Sequence, residues 1–186
     1  MNHKGDILLV DDNPTNLRLL SQMLVERGYK VRAVISGARA LKAVQSTSPD
    51  LILLDVRMPR MNGYEVCKRL KAHEQTRAIP VIFISALGET EDKLEAFKVG
   101  GVDYITKPFR VPEVVARVQT HLTLRALQHQ LQATNQQLKI QLQETNILNS
   151  KLRTQNAELD AFAHTVAHDL RNSLEVIIGY GEILQE

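Results

Sequence analysis

Leu51-Ile52-Leu53-Leu54-Asp55 is the stretch that decides how this chain folds. Four apolar residues run without alternation and stop at an acid. A strand with one wet face alternates apolar and polar positions, whereas a strand apolar at every position is covered on both faces, as in a parallel sheet. Val81-Ile82-Phe83-Ile84 has the same character and stops at Ser85, and Ile7-Leu8-Leu9-Val10 stops at Asp11-Asp12. Helical patterns fill the intervals. Asn13-Pro14 reads as an N-cap with proline at the first helical position. Leu17, Leu20, Met23 and Leu24 follow at helical spacing, and Gly28 ends the run. Val31–Ile35 and Val102–Thr106 are predicted strands. Ala38–Val44, Tyr64–Leu70 (entered through Asn62-Gly63) and Glu91–Val99 are predicted helices, and Pro112 opens a fifth. Five successive βα units predict a parallel sheet with helices on both faces.

The rest of the chain has a different composition. All six prolines, and all glycines except Gly179 and Gly181, precede residue 113, while residues 122–160 contain neither and are rich in Gln, Asn and Leu. That shift predicts a turn-rich globular unit followed by a long helix. The 186 residues suffice for one ordinary domain with an appendage, or for two small domains. With 44% hydrophobic and 24% charged residues, the composition is that of a soluble globular protein. A net charge of +2 gives no ground for a nucleic-acid or anionic-membrane partner. No apolar run is long enough to span a bilayer, and the polar N-terminus lacks the core of a signal peptide. Cys67 is the single cysteine, so no internal disulfide forms, and a reducing cytoplasm is the expected location.

Chemistry gathers at the predicted strand ends, where parallel sheets bind ligands. Strand one ends in Asp11-Asp12, strand three in Asp55 and strand four in Ser85, and strand five leads to Lys107. Each residue alone has an ordinary reading as a cap, a turn residue or a solvated charge. Together, three converging carboxylates need a cation, and their hard oxygens favour Mg²⁺. A carboxylate nucleophile, a divalent metal, a lysine and a hydroxyl are the parts of phosphoryl transfer to aspartate. Residues 6–120 resemble the receiver domain of two-component response regulators. The resemblance rests on Ile7-Leu8-Leu9-Val10-Asp11-Asp12, Asp55-Val56-Arg57-Met58-Pro59 with Met61-Asn62-Gly63, Ser85-Ala86 and Lys107-Pro108-Phe109. It implies a flavodoxin-like fold with strand order 2-1-3-4-5 and Asp55 as phosphate acceptor. It also implies Mg²⁺ held directly by Asp12 and Asp55, through water by Asp11, and by the Arg57 backbone carbonyl. Ser85 and Lys107 would contact the phosphoryl group, Tyr104 would be the switch aromatic, and Lys107-Pro108 would be a cis peptide. An aspartate-nucleophile phosphatase is the competing enzyme class, but its general acid would stand where this chain has Arg57.

From Leu124 a heptad emerges, with Leu124, Leu131, Leu138, Thr145, Leu152, Leu159 and Val166 on one seam. The second seam is largely polar in either of two registers, one starting at Leu127 and the other at Gln128. The pattern predicts a parallel two-stranded coiled coil, hence a homodimer, with register set partly by polar core residues. The end of the chain, Phe162-Ala163-His164-Thr165-Val166-Ala167-His168-Asp169-Leu170-Arg171-Asn172-Ser173-Leu174, resembles the histidine box of sensor histidine kinases. That likeness implies His168 as phospho-acceptor, Asp169 as its acidic neighbour and candidate base, and Asn172 one turn on. Ser173 stands where the family commonly has proline. Ile177, Ile178, Gly179, Tyr180 and Leu184 fit the same helix.

The resulting expectation is a receiver at 1–120, a coiled-coil signalling helix at 121–160 and the first part of a dimerisation and phosphoacceptor domain at 161–186. An upstream histidine kinase or phosphotransfer protein would load Asp55, and a downstream response regulator would receive from His168. The glycine-rich ATP-binding domain of a kinase is not in this sequence, so the chain is expected not to make phosphohistidine from ATP unaided. The alternative is a non-enzymatic protein whose receiver controls dimerisation or docking.

Overall fold

The computed structural model describes residues 3–86 and 90–183, with the backbone alone at 90–93, 169 and 173–183. Five strands alternate with five helices: β1 Asp6–Val10, α1 Pro14–Val25, β2 Lys30–Val34, α2 Gly37–Ser46, β3 Leu51–Asp55, α3 Gly63–Ala72, β4 Val81–Ala86, α4 Thr90–Lys98, β5 Asp103–Lys107 and α5 Val111–Ile183. The strands form one parallel sheet in the order β2-β1-β3-β4-β5. This is the fold class expected from the sequence, together with the long C-terminal helix.

Successive side chains of a strand point to opposite faces, so each central strand feeds two cores. Ile52 and Leu54 of β3 join Leu8, Val10 and Phe83 under α2, α3 and α4. Leu51 and Leu53 join Ile7, Leu9, Ile82 and Ile84 under α1 and the first turns of α5. All five residues of β3 are buried, which is why the stretch carries no polar alternation. Each fully covered Leu or Ile contributes roughly 1.5–3 kcal/mol.

The ends of the elements follow local chemistry. Asn13, Ser36 and Asn62 each cap a helix by accepting a backbone N–H, from Thr15, Arg39 and Glu65 respectively. Helix α1 ends at Val25, three residues before Gly28, because the chain first makes a tight turn that places Gly28 at φ +87°. Cys67 is a free, buried thiol whose pKa burial pushes up to about 11.

The chain divides into two compact units, Met1–His129 and Gln130–Glu186. In the second, the described residues form helix, and every described side chain from 130 to 172 is exposed. Leu131, Leu138, Leu152 and Leu159 of the predicted seam are each more than half exposed. Among the described residues no helix is long and apolar enough to cross a membrane.

Candidate functional site

Strand register assembles the site. Val10 pairs with Leu54, so the next residues, Asp11 and Asp55, emerge level at the carboxyl ends of β1 and β3. These two strands flank the point where the strand order reverses, since β1 has β2 on its other side. Asp55 pairs with Ile84, which places Ser85 one step further along β4, and Ala86 pairs with Lys107 on β5.

Asp11 is 1% exposed and Asp55 4%, while Asp12 is exposed. One carboxylate oxygen from each of the three lies within 4.8 Å of the others. Lys107 Nζ donates to Asp55 Oδ1 at 2.5 Å and to Asp11 Oδ2 at 3.0 Å. Burial raises the Asp55 carboxyl above its ordinary pKa, and repulsion from Asp11 and Asp12 adds to this, with Lys107 only partly offsetting both. Burial alone would lower Lys107, but its hydrogen bonds to the two acids outweigh that and raise it. Asp11 is held in place by the Asn13 N–H and the Asn16 side-chain amide, each donating at 2.8 Å. Asn16 escaped the sequence reading. Its signal was modest: a polar residue in the first turn of α1, five positions after Asp11.

Three carboxylates and one lysine carry a net charge of −2, which a divalent cation would balance. All the side-chain donors are hard oxygens, so the residues present fit Mg²⁺. Arg57 turns its side chain to solvent from the loop that follows Asp55. That loop is pinned by Gly63, whose N–H donates to the Val56 carbonyl at 2.9 Å. A Cβ on Gly63 would lie 2.3 Å from the Asp55 carbonyl oxygen. The Lys107-Pro108 peptide is cis.

Ser85 lies at the rim of β4, 9% exposed. Tyr104 is half-buried on β5, its ring edge-on to Phe97 at 6.1 Å, with the Arg117 guanidinium 5.8 Å from its centre. Next to it, Asp103 accepts from Arg117 Nη1 at 2.6 Å and lies 3.1 Å from His121 Nε2. Asp103 and Arg117 therefore tie the strand of Tyr104 to α5, a linkage between residues 14 apart that no local pattern announces.

In the second unit, His168 is exposed and its Nδ1 lies 3.2 Å from the Asn172 side-chain nitrogen, one helical turn on. The side chains of Asp169, Ser173, Ile177, Ile178 and Tyr180 lie outside the described part, as does Leu184 altogether.

Comparison with known proteins bears on the family and the fold. Residues 7–119 match the family model of the response regulator receiver domain. The DNA-binding dual master transcriptional regulator RpaA of Synechocystis is 41% identical over 116 residues, 62% of this chain and 48% of RpaA. Hybrid signal transduction histidine kinase D of Dictyostelium discoideum is 30% identical over 206 residues, a match spanning 99% of this chain but 13% of that protein. The chain thus spans about half or less of these curated relatives. Among solved structures, the signal receiver domain of a signal transduction histidine kinase from Syntrophus aciditrophicus superposes with a TM-score of 0.61 at 38% identity, covering 64% of this chain and 90% of that one.

Proposed function

The chain belongs to the response regulator receiver family, and from that premise we propose that Asp55 accepts a phosphoryl group and that the second unit carries the signal to His168. The observation that carries the first half is the buried Asp55 carboxylate, with Lys107 on one oxygen and two further acids close by. An Asp55 oxygen attacks phosphorus. The donor's P–N or P–O bond breaks, and its electron pair leaves with the imidazole or carboxylate of the donor. The raised pKa of Asp55 makes it a more basic nucleophile than an exposed aspartate. Lys107, already on Asp55, meets the incoming phosphoryl oxygens, and the Ser85 hydroxyl donates to another. Mg²⁺ bound by Asp12, Asp55 and the Arg57 carbonyl, with Asp11 acting through water, would neutralise charge on the acids and on the phosphoryl group.

The proposed donor is a histidine kinase or phosphotransfer protein. The exposed leucine seam of the second unit supports a parallel homodimer, since water-facing leucines at heptad spacing are covered when two helices pair. His168 is the proposed phospho-acceptor of that helix pair. The Asn172 side-chain nitrogen, 3.2 Å from His168 Nδ1, is the neighbour that would orient the imidazole. Asp169 would act as the neighbouring base, a downstream response regulator would receive the group, and a larger protein with an ATP-binding domain would supply the kinase activity. Support comes from the match to a hybrid histidine kinase, which spans nearly the whole chain.

Intact mass after incubation with acetyl phosphate and Mg²⁺ tests the first half. One phosphate on the wild type and none on Asp55→Asn is the expected result. No phosphate on either protein would sink the assignment.

A further inference from the structure

A second concentration of charge lies at the opposite end of the sheet. A cleft of about 310 Å³ opens beside the starts of β4 and β5, between the α3–β4 connection and α5. Lys71, Arg77, His121 and Arg125 line it, and Val102 and Leu124 add apolar surface. No carboxylate lines it among the described residues.

Lys71, Arg77 and Arg125 are held by groups that leave charge and donors to spare. Lys71 Nζ donates to the carbonyls of Arg77 at 2.9 Å and Ile79 at 2.7 Å. Arg125 Nη1 donates to the carbonyls of Pro49 at 3.1 Å and Asp50 at 2.8 Å. Carbonyls orient these side chains without neutralising them. One Lys71 N–H and the Arg125 Nη2 remain uncommitted among the described residues. Arg77 spends Nη2 on the exposed Glu74 at 3.2 Å and keeps Nη1 and Nε. The acids nearby have work elsewhere: Asp103 binds Arg117 as well as His121, and Asp50 accepts the Asp6 N–H. Burial lowers the pKa of Lys71, with the Arg125 charge adding to this, and burial lowers Arg125 too. A bound anion would relieve that cost.

We propose that this cleft binds the phosphate group of a small molecule, with Lys71, Arg77 and Arg125 as donors and the Val102–Leu124 surface covering the remainder. Arginine forks suit phosphate oxygens, and a cleft of this size lies at the lower end for small ligands, too small for a macromolecular surface. The ligand would bridge the α3–β4 connection to α5 at a place separate from Asp55. The phosphate could be free or esterified, and the apolar wall favours an ester.

Calorimetry on the full chain without Mg²⁺, titrating inorganic phosphate in one arm and adenosine monophosphate in the other, tests this. Hydrogen-exchange mass spectrometry would locate the bound site. Saturable binding that protects residues 71–80 and 121–128 is expected, weakened at least about tenfold in K71Q/R77Q. Tighter binding of the nucleotide identifies an ester as the ligand, and equal binding identifies phosphate alone. Because Lys71 also supports a turn, the exposed single variant R77Q is the control for folding, with an expected weakening of about threefold. No saturable binding in either arm, unchanged affinity in both variants, or protection confined to Asp11, Asp55 and Lys107 would overturn the proposal.

Discussion

Lys107 is the only cation drawn onto two buried acids among the described residues, and in the proposed function Mg²⁺ balances the charge that it leaves. Saturating Mg²⁺ is therefore expected to stabilise the protein by about 1–3 kcal/mol, and Asp12→Asn to lose most of that gain, as read from thermal melts with and without the ion. A second group invites a pH test. Burial alone would raise Asp103, but hydrogen bonds from Arg117, the Tyr104 N–H and His121 outweigh it and hold the carboxyl below its ordinary value of 3.8. The unfolded chain therefore binds the proton first as the pH falls, and the stabilisation from Asp103 is present above the ordinary value and lost through the depressed one. Asp103→Asn is expected to cost about 1–2 kcal/mol at neutral pH. Denaturant titrations should show the gap between variant and wild type closing below about pH 4; a gap that stays constant would show that the ion pair contributes nothing. The acids at strand ends were legible because a strand stopping at Asp is conspicuous. Asp103 was not, since its partners lie 14 and 18 residues away along the chain.

The βα units were readable from periodicity, because β3 and β4 are covered on both faces and show it as unbroken apolar runs. Their edges were less readable. Strand β5 runs Asp103–Lys107, one residue later at both ends than the apolar pattern suggested, because its polar ends still pair with β4 at Ile82 and Ala86. The role of Gly63 was hidden too. In sequence Asn62-Gly63 reads only as a helix start, whereas in the fold it lets α3 approach the backbone of Asp55. Gly63→Ala is expected to destabilise the receiver by roughly 2–4 kcal/mol, since backbone must shift. It should also slow phosphorylation by acetyl phosphate, measured by intact mass over time. A variant of wild-type stability and rate would mean that the loop yields freely.

The first turns of helix α5 pack against the sheet, and in the proposed function they are the part that a change at Asp55 would reach. Val114 and Val118 are buried in the core, Arg117 and His121 hold Asp103 beside Tyr104, and Arg125 caps the carbonyls of Pro49 and Asp50. In the proposed dimer, a switch that moved Tyr104 would disturb these contacts and bias how the two helices pair. Disulfide crosslinking of Leu131→Cys and Leu152→Cys, with and without beryllofluoride as a phosphoryl mimic, is expected to change severalfold in rate at one or both positions. Cys67 should not compete, being buried with its thiol pKa pushed up to about 11. Identical crosslinking in both states would rule out transmission through the helix pair.

Apolar periodicity and strand-terminal acids were enough to specify five βα units, a two-sided parallel sheet and a long polar helix, because burial on one or two faces writes itself directly into residue order. What needed the folded molecule was register and distance. Only the pairing of Val10 with Leu54 and of Ala86 with Lys107 brings residues from positions 11, 55 and 107 into one charged cluster. Only long-range packing sets Gly63 on Asp55 and gathers Lys71, Arg77, His121 and Arg125 around one cleft. Such contacts join residues far apart in the chain, and their energies depend on burial and mutual orientation, neither of which any local window of sequence contains.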